Sequence, residues 1–124
     1  MSEEKNALSE ELNEIVDKSF AGEIPWIQQN STTYLWLKET SNSSYKSSIQ
    51  RAESTVSSAI QILGATKPTY LFQVQDRESK ITIVSLSSKE RPELHNVLEY
   101  IYKGAERGID ISSSKILKNI LNDE

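Results

Sequence analysis

Apolar positions recur with two different periods along this 124-residue chain, and the changes of period mark its elements. Leu8, Leu12, Ile15, Val16, Ser19 and Phe20 fall on one face of a 3.6-residue repeat, which predicts an amphipathic helix with its acids on the opposite face. Gly22 is placed to terminate that helix. Residues 24–29 predict a short strand interrupted by Pro25. Thr32–Lys38 is rich in β-branched and aromatic side chains and reads as a strand. Tyr34 and Trp36 fall on one of its faces and Leu35 and Leu37 on the other, the pattern of a strand that is central or covered on both sides.

Thr40–Ser48 is dominated by Ser and Asn, whose side chains compete for backbone hydrogen bonds, and it reads as a flexible loop. Ile49, Ala52, Val56, Ala59, Ile60 and Leu63 then keep helical spacing, with Gly64 just past the end, predicting a second helix. Tyr70–Gln75 and Ile81–Leu86 alternate and flank the charged segment Asp76–Lys80, which predicts a hairpin. A third helix is expected from Glu90-Arg91-Pro92, with Leu94, Val97, Leu98, Ile101 and Ala105 as its stripe and Gly104 and Gly108 as terminators. Ser112–Ser114 would cap a fourth, short helix carrying Ile116, Leu117, Ile120 and Leu121. The predicted fold is a single α+β domain over residues 1–124: a small three- or four-stranded, mainly antiparallel sheet packed by helices.

Charge changes this picture in one place. The net charge is −4, yet residues 1–24 carry seven acids against Lys5 and Lys18, so the first helix holds the acidity and the remainder is near neutral. There is no Lys/Arg-rich run, which excludes a strong electrostatic footprint for nucleic acid. Cysteine is absent, which removes disulfides, thiolate metal sites and cysteine nucleophiles. The polar, acidic start does not read as a signal peptide, and no apolar run reaches the roughly 20 residues of a membrane helix. The expected setting is soluble and cytoplasmic, with no membrane partner.

Candidate chemistry is sparse. His95 is the sole histidine and lies out of phase with the apolar stripe of its helix, so it reads as a surface histidine. No nucleophile elbow, phosphate-loop or dinucleotide motif is present, and Lys103–Gly108 reads as a helix end. Glu10, Glu14 and Asp17 share a helix face at spacings that can hold a metal, but on so acidic a helix they read as a solvated face. Trp26, Tyr34 and Trp36 lack interleaved cations and read as core. The expectation is a non-catalytic chain with no catalytic residues, no cofactor and no metal.

The remaining group is Ile116, Leu117, Ile120 and Leu121. A helix of two or three turns is unstable alone and must gain from burial. It would dock on its own sheet or in a partner's groove, and the reading here divides it, with Leu117 inward and Ile120 toward the partner.

Thr33–Leu37, followed by Ser54–Ala65 with Val56, Ala59, Ile60 and Gly64 in register and then the strand Tyr70–Val74, resembles the small kinase-associated subunit of the KEOPS complex. That resemblance implies an accessory subunit that binds a small atypical kinase and assists tRNA presentation for threonylcarbamoyl-adenosine synthesis. Any tRNA contact by this chain would be weak or assisted by the partner. Lys80–Ile109 is similar instead to the Alu-domain proteins of the signal recognition particle, which implies a structural RNA-binding protein. An orphan protein-binding module is the third reading.

Overall fold

A computed structural model describes residues 2–53 and 68–122. The element order is α1 (Ser2–Phe20), β1 (Ile27–Asn30), β2 (Thr33–Glu39), β3 (Ser44–Ala52), β4 (Thr69–Asp76), β5 (Thr82–Ser87), a 3-10 turn at Pro92–Leu94, and α2 (His95–Asn122). The strands form one sheet in the order β1-β2-β3-β4-β5, and every neighbouring pair is antiparallel. The α+β class therefore stands, while the sheet has five strands rather than three or four.

The added strand is β3. The expected loop at 40–48 and the expected helix starting at Ile49 share this segment, and the structure makes most of it a strand. Thr40–Ser43 alone forms the connection, closed by Thr40 N–H to the Ser43 carbonyl at 2.8 Å. Ser44–Ala52 pairs along its whole length with β2 on one side and β4 on the other. Two flanking partners satisfy the backbone groups that the serines of β3 would otherwise engage locally, so context overrides composition. Ser47 and Ile49 both turn into the core, Ile49 fully buried. The rest of the expected second helix, including Val56, Ala59, Ile60, Leu63 and Gly64, lies outside the described residues.

The strand registers divide the sheet into two faces. One bears Tyr34, Ile49, Phe72 and Leu86 in a row across β2 to β5, with Trp36, Ser47, Val74 and Val84 in the next row. This face is the core, closed by Leu98, Ile101, Tyr102 and Ala105 of α2 and by Leu12 of α1. α2 lies against β2, β3 and β4, while α1 packs mainly on α2. A chain of rings runs through the core. Tyr34 lies 5.1 Å from Tyr102, Tyr102 lies 5.6 Å from Tyr70, and the Tyr70 ring meets His95 edge-on at 5.5 Å.

The other face carries Leu37, Lys46, Gln75 and Thr82 in one row and Leu35, Ser48, Gln73 and Ser85 in the next. Among the described residues no element covers it, and none of them sandwiches Leu35 and Leu37 as the two-faced pattern of β2 suggests. An antiparallel sheet tolerates such a face because its side chains alternate between core and solvent.

The two C-terminal helices expected from the sequence are one. α2 runs unbroken for 28 residues, and Gly104 and Gly108 lie in its buried interior rather than at its end. Each glycine costs the helix about 1 kcal/mol relative to alanine. The compensation is close approach. A Cβ on Gly104 would stand 2.7 Å from the Ser19 Cβ, and one on Gly108 would stand 3.3 Å from the Ser19 carbonyl oxygen. The end of α1 thus sits directly on the α2 backbone. There the buried Ser19 hydroxyl accepts a 2.9 Å hydrogen bond from Trp26 Nε1–H, linking α1 to the segment leading into β1.

Candidate interaction surface

The body of the protein covers α2 only as far as Ile111, whose side chain packs against Gly22. From Ser112 to Asn122 every residue is exposed. At 1.5 Å per residue this makes a helical arm about 16 Å long. Its stripe continues the face that is buried earlier in α2: Leu98, Tyr102, Ala105 and Ile109 are followed at helical spacing by Ile116 and Ile120. Leu117 and Leu121 widen it. The four candidate residues are therefore brought together, at exposures of 58 % for Ile116, 57 % for Leu117, 63 % for Ile120 and 80 % for Leu121.

Two expectations are corrected here. The arm does not dock on its own sheet, and Leu117 does not point inward; it is as exposed as Ile116. A single long helix meets a different energy balance from a short separate one. An isolated short helix has to meet a nucleation cost, but this arm only propagates a helix already nucleated against the body. It holds helical form without burying its stripe, which leaves the stripe available. Lys115 and Lys118 are the charged side chains of the arm between Ser112 and Asn122.

The other candidate residues are accounted for by structure. Trp26 and Tyr34 are buried, and Trp36 packs against the core 5.9 Å from Trp26. Glu10, Glu14 and Asp17 are exposed, with Glu14 held 3.2 Å from Lys18 one turn on. His95 is half-buried against Tyr70 rather than on the open surface. Lys103 pairs with Glu99 at 3.6 Å within α2, so Lys103–Gly108 is neither a helix end nor a phosphate loop. Among the described residues no three His, Cys, Asp or Glu side chains are grouped to hold a metal ion. No described helix is long and apolar enough to cross a membrane.

Burial perturbs one core group strongly. The Tyr34 hydroxyl is pushed up to about 12, first by burial and then by the negative charge of ionised Tyr102 and of Glu106. Tyr70 is raised in the same direction, again chiefly by burial. Both rings belong to the core ladder.

A second cluster escaped the sequence reading. Lys46, Arg77 and Lys80 converge with Leu35, Leu37 and Gln75 around a groove of about 550 Å³ on the open face of the sheet. The signals were present separately, in the second apolar face of β2 and in the charged hairpin turn. Only the pairing of β3 between β2 and β4 places Lys46 between them. Comparison with family models, with curated proteins and with solved structures finds no match for this chain.

Proposed function

We propose that this chain is a non-catalytic interaction protein that inserts the apolar stripe of its α2 arm into a groove on a protein partner. The observation that carries the reading is the run of four large aliphatic side chains, 57–80 % exposed, on a helix that extends past its own core. An exposed, contiguous aliphatic stripe costs solubility unless something covers it, and a helical face of this spacing suits a hydrophobic groove. The KEOPS resemblance adds a specific form of the proposal, in which the groove belongs to a small atypical kinase and the pair presents tRNA. That form rests on the residues of the sequence resemblance, Thr33–Leu37, Ser54–Ala65 and Tyr70–Val74.

The test is Ile120→Asp, made beside Ser113→Asp as a polar control on the same arm. Both should melt within about 0.5 kcal/mol of wild type, because neither site is buried. Ile120→Asp should lose a protein that wild type and Ser113→Asp retain in co-purification from the native host. An Ile120→Asp chain that melts normally and keeps every wild-type partner refutes the proposal, and a marked fall in its melting temperature shows that the stripe is covered by the chain itself.

A further inference from the structure

Independently of the arm, the geometry points to a second binding site: the groove formed by Leu35, Leu37, Lys46, Gln75, Arg77 and Lys80 takes an extended acidic peptide that carries aliphatic side chains. The site is built across three strands and a turn. Lys46 lies directly between Leu37 of β2 and Gln75 of β4 in the strand registers, and Arg77 and Lys80 follow β4 into the hairpin. Leu35 and Leu37 supply the apolar floor. They are two residues apart on one strand, a spacing of about 7 Å, which an extended peptide with an aliphatic side chain at every second position reproduces.

The groove is lined by three cations and no acid, while Glu39, Asp76 and Glu78 belong to the same strand ends and turn but not to its lining. Arg77 reaches Glu39 at 4.0 Å, while Lys46 and Lys80 have no ion-pair partner within that distance among the described residues. In the turn the Asp76 Oδ1 accepts the Glu78 N–H at 3.0 Å, which orients that carboxylate while leaving its charge in place.

Lys80 carries a second, separate observation. Its φ is +62°, the left-handed region that favours glycine or asparagine, and among the described residues it is the one non-glycine there. The turn holds it in place: its N–H donates to the Asp76 carbonyl at 2.7 Å, and its own carbonyl accepts from Gln75 Nε2 at 3.1 Å. A long cationic side chain at a glycine-favouring position is the kind of local strain that persists at binding sites. Here it places an ammonium group at the rim of the groove.

A peptide is favoured over nucleic acid by what the face lacks. The rows of the open face carry Leu, Ser, Thr, Gln and Lys46, with no aromatic ring on which a base could stack. A net charge of −4 also opposes a long polyanion, while a short acidic segment meets only the local cluster.

The experiment is fluorescence anisotropy of the full chain with a labelled peptide of alternating glutamate and leucine. The same peptide with glutamine for glutamate and a uridine oligomer serve as competing probes. Wild type should bind the acidic peptide saturably, and the affinity should fall as salt rises from about 50 mM to about 0.5 M, where screening shortens to a few Å. Lys46→Glu should weaken binding by about tenfold, since it sets like charge against the ligand. Lys80→Gly should weaken it about threefold, the scale of one exposed charge pair, while melting at or above wild type because the backbone strain is relieved. The glutamine peptide should bind more weakly than the acidic one. Failure of wild type to bind, equal binding by folded Lys46→Glu and Lys80→Gly, or tighter binding of the uridine oligomer each overturns the proposal.

Discussion

Replacing Gly104 by alanine places a methyl group 2.7 Å from the Ser19 Cβ and 3.2 Å from Cδ2 of Phe20. In an exposed helix interior this change stabilises by about 1 kcal/mol, because alanine loses less backbone entropy than glycine. Here the neighbour is a β-carbon fixed to the α1 backbone, so it yields only if α1 moves away from α2. Forcing a methylene into a packed core costs about 1–3 kcal/mol. Ser19 is also the acceptor for Trp26 Nε1–H, and displacing it weakens a buried hydrogen bond worth about 1 kcal/mol. Taken together, the net expectation is a loss of about 1–3 kcal/mol despite the better helix former. For a chain of this size that is a fall of about 3–12 °C in melting temperature, read by circular dichroism. Gly108→Ala is the internal comparison. Its nearest contact would be 3.3 Å, so the clash is milder and the change should be much smaller. A Gly104→Ala chain that melts higher than wild type would refute the close packing of α1 on α2.

Ser19→Ala should cost about 1–3 kcal/mol in chemical denaturation, because the Trp26 indole N–H is left buried without its partner. Ser19→Thr, which keeps the hydroxyl but adds a methyl beside Gly104, should also destabilise. Stability should fall as pH rises from about 10 to about 12. In that window the unfolded chain releases the Tyr34 proton while the native state retains it, so each step up in pH favours unfolding. A displacement from 10 to about 12 corresponds to at most about 3 kcal/mol, fully present below pH 10 and lost by about 12. Tyr34→Phe should flatten that part of the pH profile, and an unchanged slope would sink the assignment.

Local periodicity was enough wherever an element's own pattern agreed with its environment. The first helix, strands β2, β4 and β5, and the charged hairpin all lie close to where alternating or helical spacing puts them, because each buries one face and the side chains that do so are large and apolar. β3 was illegible for the opposite reason. Its inward positions include Ser47, its composition favours loops, and Ile49 continues a helical series, so only partners on both sides reveal it as the strand that joins the two halves of the sheet. The glycines of α2 misled in the same way. Gly104 and Gly108 are read from sequence as terminators, and only the approach of Ser19 shows that they are contact points inside a longer helix.

The candidate surface divides along the same line. Ile116, Leu117, Ile120 and Leu121 are an apolar stripe by sequence alone, since helical spacing is an intrinsic property of the segment. Whether that stripe is core or surface depends on where the rest of the molecule stops, and the body stops at Ile111. The cationic groove belongs wholly to tertiary structure: Leu37, Lys46 and Gln75 are far apart in the chain and become neighbours through strand pairing alone. Sequence specifies which face of each element is apolar, because that needs only the period of the chain. Coverage and convergence are set by the elements' mutual placement, which is a property of long-range packing.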